Sequence, residues 1–106
     1  MNAAGQVLRV SELPDVPLDA AAHFFATYLA QAQQILADGA PVLVIALPAA
    51  SQDHDDWRRA LARDLARAHA PARVNVVGGS DTVRAAVISY LEASRGVTGQ
   101  YIPAHD

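Results

Sequence analysis

Two hydrophobic periods alternate along the chain. Short runs of branched aliphatic residues at 6–10, 41–47 and 73–77, with a shorter one at 100–103, read as strands. The run Val42-Leu43-Val44-Ile45 is apolar on both faces, the pattern of a central strand covered on both sides in a parallel sheet. Between the runs, residues 17–38, 55–69 and 81–95 carry helical periodicity. The order βαβαβαβ predicts an α/β domain: a four-stranded parallel sheet with three crossover helices. Right-handed crossovers between neighbouring strands in chain order would place the helices on one face.

Capping chemistry supports these bounds. Pro17 suits a first helical position, Asp19 complements the first-turn dipole, and Gly39 suits a left-handed stop. Asp53, Asp55 and Asp56 crowd the start of the second helix, and Pro71 lies just past its end. Ser80 or Asp81 can cap the third helix and Gly96 can end it.

The first helix carries two apolar stripes. Leu18, Ala22, Phe25, Leu29, Ala32 and Leu36 form one, expected to cover the sheet. Phe24, Tyr28 and Ile35 form a second, displaced by about 100°. One sheet cannot bury both, so the second stripe is expected near the surface, as an interface for a partner or a second copy. The alternative is that loops or the third helix cover it. On the second helix Trp57, Leu61, Leu65 and Ala68 share a face, with Arg59, Arg63 and Arg67 opposite. The arginines could contact phosphate, but Asp55 or Asp56 with Arg59, and Asp64 with Arg67, are spaced for ion pairs on a solvated face.

Composition narrows the chemistry. The 106 residues allow one domain, expected over 5–106 after a tail at 1–4. With 52% hydrophobic and 18% charged residues, and mean hydropathy +0.12, the chain is apolar enough to fold. A net charge of -3 argues against nucleic acid and against a polybasic membrane anchor. Residues 20–37 lack charge, but His23, Thr27 and three glutamines interrupt them, so no membrane span is expected. No signal peptide is visible, and the absence of cysteine fits a cytoplasmic protein. All 8 basic residues counted with lysine are arginine, which removes Walker lysines and Schiff bases.

Candidate reactive clusters are sparse. Asp53-His54-Asp55-Asp56 could offer oxygen and imidazole ligands to a metal, but lacks a second histidine and matches a dipole-favoured helix start. Gly78-Gly79-Ser80, between a strand and a helix, is placed where backbone N–H groups can bind an anion. Asp81 would repel phosphate there, and two glycines also suit a tight strand-to-helix turn. Neither a catalytic residue nor a metal or cofactor site is assigned.

From residue 18 onward the chain resembles the second half of a short-chain dehydrogenase/reductase. The resemblance rests on Ala60-Leu61-Ala62-Arg63-Asp64-Leu65-Ala66 leading to Arg73-Val74-Asn75-Val76-Val77. It rests also on Val87-Ile88-Ser89-Tyr90-Leu91 followed by Gly96-Val97-Thr98-Gly99-Gln100-Tyr101-Ile102. Phe24-Phe25 to Gly39, then Val42 to Ile45, resembles the family's fourth helix and fifth strand. The resemblance implies half of a Rossmann-like fold without the dinucleotide-binding half. The family's Tyr-x-x-x-Lys is missing: its positions fall near Leu47 and Ser51, or near Ala49 and Asp53. The catalytic serine maps near Ala46 or Leu47, and the family's Pro-Gly is replaced by Gly78-Gly79. The family also allows its last helix to cross to the other sheet face, against the one-face expectation.

The resemblance implies an interaction surface rather than a reaction, since related chains pair helices across a two-fold axis. The expected partner is a second copy, a dimer being favoured, or a full-length reductase subunit. Phe24, Tyr28 and Ile35, with Arg59 and Arg63, are the interface candidates. The alternative is a small ligand- or nucleotide-binding protein or enzyme using the Gly78-Gly79 turn.

Overall fold

Four β-rich runs pair in the order in which the chain supplies them. In the computed structural model, which describes residues 5–104, β1 (Gln6–Arg9) precedes α1 (Pro17–Thr27) and α2 (Leu29–Ala37). Then come β2 (Val42–Leu47), a 3-10 turn (Gln52–His54), α3 (Asp55–Ala68), β3 (Arg73–Gly78), α4 (Asp81–Ala93) and β4 (Tyr101–Pro103). The sheet order is β1-β2-β3-β4 and every pairing is parallel, with Ile45 beside Leu8 on one side and Val76 on the other. All 6 residues of β2 are buried, as its two-faced apolar run requires. This is the expected α/β architecture, half of a Rossmann-like fold, with four helices because the first helical segment is divided at Tyr28. The expected tail at 1–4, and His105, lie outside the described residues.

Alternation along the strands sends Leu8, Leu43, Ile45, Leu47, Val74 and Val76 to one face, where α1, α2 and α3 cover them. Val42, Val44, Ala46 and Val77 point the other way and meet Ile88 and Leu91 of α4. The expectation of helices on one face is therefore corrected for α4. Since the strands advance across the sheet in one direction throughout, the β3–α4–β4 crossover has the opposite hand to the two before it. Handedness is a statistical preference of isolated crossovers, and here the apolar outer face of β2 and β3 supplies the competing demand for cover.

The interface stripe is also corrected. Phe24 is completely buried, and Tyr28 and Ile35 are half-buried against the same core, while Leu18 and Phe25 of the supposed sheet-facing stripe stand out. The buried line runs Ala20, Phe24, Ala32, Leu36, with Tyr28 between, spaced by fours. A four-residue step advances about 40° beyond a full helical turn, so this line winds around the helix axis as the helix crosses the sheet. The inward face therefore passes from one stripe to the other near Tyr28, whose φ of -115° marks the irregularity. The hydrogen bonds Tyr28 N–H to Phe24 O (2.8 Å) and Ala32 N–H to Tyr28 O (3.0 Å) run through it.

Helix ends obey local chemistry with two departures. Pro17 opens α1 and Gly39, at φ +100°, comes after α2 as expected. Helix α4 stops at Ala93, before Gly96. Its last carbonyls are satisfied instead by Arg73, whose guanidinium donates to Leu91 O (3.2 Å), Glu92 O (3.2 Å) and Ser94 O. At the head of α4, Ser80 is the N-cap residue but makes no side-chain cap bond to the helix.

Candidate functional site

The sheet's carboxyl edge gathers side chains from every layer. Its foundation is Asn75 of β3, completely buried, which donates to Val97 O (3.0 Å) and accepts from Gln100 N–H (3.1 Å). Those bonds draw the 97–100 loop along β3 and set Tyr101 at the start of β4. Tyr101 then meets Arg58, which α3 sends into the core: Arg58 Nη1 donates to Tyr101 Oη (3.3 Å) and to Pro48 O (3.0 Å). The guanidinium lies 5.5 Å from the Trp57 ring centroid and 5.7 Å from that of Tyr101. Arg58 is completely buried, and its Nε and Nη2 have no partner among the described residues.

Gly78 makes this arrangement possible. A Cβ at Gly78 would lie 2.6 Å from both Arg58 Nη1 and Tyr101 Oη. Gly79 has φ +149° and lies against Ala104, where a Cβ would come within 2.8 Å of the Ala104 carbonyl oxygen. The glycine pair thus has the structural role expected of a tight turn. Ser80, the next residue, is exposed at the start of α4.

His54 organises the opposite wall. Trp57 Nε1–H donates to His54 Nδ1 (3.2 Å), so Nε2 carries the proton and donates to Asp15 O (2.8 Å). With both ring nitrogens engaged, His54 fastens the β1–α1 loop to the start of α3. The surrounding Asp53, Asp55 and Asp56 form the acidic helix start, and among the described residues no three histidine, aspartate or glutamate side chains converge as a metal site.

A second buried arginine lies across the Pro48–Ala49 wall. Arg84 is 4% exposed and pairs through Nη2 with Asp81, while its Nε and Nη1 have no partner among the described residues. It lines an open cavity of about 390 Å³ with Arg9, Ser11, Ala49 and Gly79. Arg58 lines a neighbouring hollow of about 270 Å³ with Ser51 and His54. Sequence reasoning missed both arginines as buried groups. The signal was present: each lies one turn before an apolar pair on its own helix, Leu61 and Ala62 after Arg58, Val87 and Ile88 after Arg84.

The outer helical face differs in kind. Phe25 and Leu29 from α1 and α2, with Leu61, Leu65 and Ala68 from α3, line a groove of about 270 Å³. Phe25 is 44% exposed although its ring touches those of Phe24 and Trp57. Arg59 pairs with Asp55 (3.7 Å) and Asp56 (3.9 Å), as spacing predicted, and remains more than half exposed. Asp64 pairs with Arg63 (3.2 Å) rather than the expected Arg67.

A parallel half-sheet with helices on both faces and its loops converging at the carboxyl edge defines a Rossmann-like α/β protein. The chain belongs to the SDR-like family: the family model described as short chain dehydrogenase-like protein matches residues 8–104. Neither a curated protein nor a solved structure matches the chain. Among the described residues, no helix is long and apolar enough to cross a membrane.

Proposed function

We propose that the chain is a non-catalytic SDR-like interaction module that pairs with a second copy of itself. The observation that carries this reading is the outer groove lined by Phe25 and Leu29 of α1 and α2 and by Leu61 and Leu65 of α3, where Phe25 is 44% exposed and no charged residue stands between Asp19 and Asp38. This patch replaces the Phe24, Tyr28 and Ile35 stripe, because Phe24 belongs to the core. Charge favours a second copy as occupant. Along the exposed polar face of α3 beside the groove, an antiparallel pairing of α3 with itself, centred between Leu61 and Ala62, sets Arg59 opposite the partner's Asp64 and Asp56 opposite the partner's Arg67. The reading also takes support from the catalytic positions, where Leu47 and Ser51, or Ala49 and Asp53, stand in place of the family's tyrosine and lysine.

The test is native mass spectrometry with sedimentation equilibrium. The expected species is two chains of 11.2 kDa each, and the Phe25→Glu variant is expected to run as a monomer with its circular dichroism retained. A monomeric parent protein, or a dimer indifferent to Phe25→Glu, overturns the reading. Co-purification with a heavier reductase chain would instead make this an accessory subunit.

A further inference from the structure

We propose that the carboxyl edge of the sheet binds the phosphate group of a small ligand, with Arg84 as its principal contact. The inference is independent of self-association, which uses the outer helical face.

A guanidinium stays charged at any physiological pH, and burying it with two nitrogens unpaired is costly unless an anion answers it. Asp81 answers only Nη2, while Nε and Nη1 are buried without a partner among the described residues, and the side chain lines the 390 Å³ cavity. That volume lies in the range of small-molecule sites, roughly 300–1,000 Å³. It exceeds what a phosphate group alone fills, so there is room for the body of a phosphorylated molecule.

Three further features point the same way. Helix α4 starts at the cavity, which Gly79, Ser80 and Asp81 line, and the first-turn N–H groups of a helix have no intrahelical partners. Arg9, exposed at the end of β1, brings a second guanidinium to the same cavity. Arg58, behind the Pro48–Ala49 wall, has no carboxylate in ion-pair reach among the described residues, so the edge is positive in its interior as well.

The position of Asp81 limits its repulsion of phosphate. Its carboxylate is 92% exposed and held to Arg84 from the first turn of the helix. A ligand dianion competes for the same guanidinium, and the displaced Asp81 turns into solvent, where its charge is screened. Two arginines and a helix N-terminus then face the ligand, a balance that suits a dianionic phosphate better than a single carboxylate.

The test is a titration of the full chain monitored by amide and arginine Nε–H resonances, with inorganic phosphate in one arm and adenosine monophosphate in the other. Saturable shifts at Gly79, Thr82, Val83 and Arg84 Nε–H are expected. A response to both probes supports the site with free phosphate as a sufficient ligand, and a response to the nucleotide alone supports a phosphorylated small molecule. Arg84→Gln should weaken binding by roughly tenfold or more, whereas Arg67→Gln, an exposed change on α3, should leave it unchanged. Asp81→Asn alters an exposed side chain and keeps the test valid should Arg84→Gln fail to fold. Removing the competing carboxylate should tighten binding several-fold. Absence of shifts in both arms, an Arg84→Gln protein that titrates like the parent, or an Asp81→Asn protein that binds no more tightly would each overturn the proposal.

Discussion

The two faces of the sheet are held by different physics. On the face covered by α1, α2 and α3, the core contains Phe24, stacked on Tyr28 at 5.8 Å and tilted against Trp57 at 6.0 Å, above a floor of leucine, isoleucine and valine. On the other face α4 stands alone, and the buried cluster is Val42, Val44, Ala46, Val77, Ile88 and Leu91, without an aromatic ring. Directed bonds supplement that smaller apolar area: Arg73 holds the tail of α4, and Asn75 holds the loop leading to β4. The first layer derives its stability from removing large side chains from water, and the second depends more on a few polar contacts. Damage to the two should differ in reach as well as in size.

Phe24→Ala should break the comparison most severely. It empties a fully buried ring site in the thicker layer, and a loss of about 3–5 kcal/mol is expected, read as a lower denaturant midpoint by every probe at once. Asn75→Ala should cost less, about 2–3 kcal/mol, because two hydrogen bonds disappear and Val97 O and Gln100 N–H lose their partner. Its signature is local: hydrogen exchange should accelerate across 97–103 before the α1–α3 layer responds. Arg73→Met should be the mildest, about 1 kcal/mol, with fraying confined to the last turn of α4. If Asn75→Ala instead loosened both layers equally, the two faces would be one cooperative unit and the contrast would fail.

The sequence made the strand order, the parallel pairing and the central place of β2 legible because those arise from local patterns: alternation, run length and turn residues. The placement of α4 was not legible, since its crossover runs against the usual hand to satisfy an apolar face that exists only after the sheet forms. Phe24 was misplaced for a related reason. A straight stripe assumes a 3.6-residue period, whereas the buried line steps by fours and exchanges faces near Tyr28. Of the candidate edge, the Gly78-Gly79-Ser80 turn was readable and the arginines that give it character were not. Arg58 was passed over and Arg59 noticed, because helical arginines are normally solvent-facing, and only three-dimensional packing reveals which one the core takes in.

Consecutive strand order has a consequence for how the chain assembles during synthesis. Each strand pairs with the one made just before it, so a ribosome releasing this chain offers every new strand an edge already in place. Among the described strands none has to wait for a partner beyond its sequence neighbour, and each closure spans a single crossover. The fourth strand to join, β4, is only 3 residues long and is delivered by a helix that has to cross to the opposite face. The step that adds β4 is therefore the one in which a nascent chain depends on Asn75 to capture the 97–100 loop and bring β4 to the sheet.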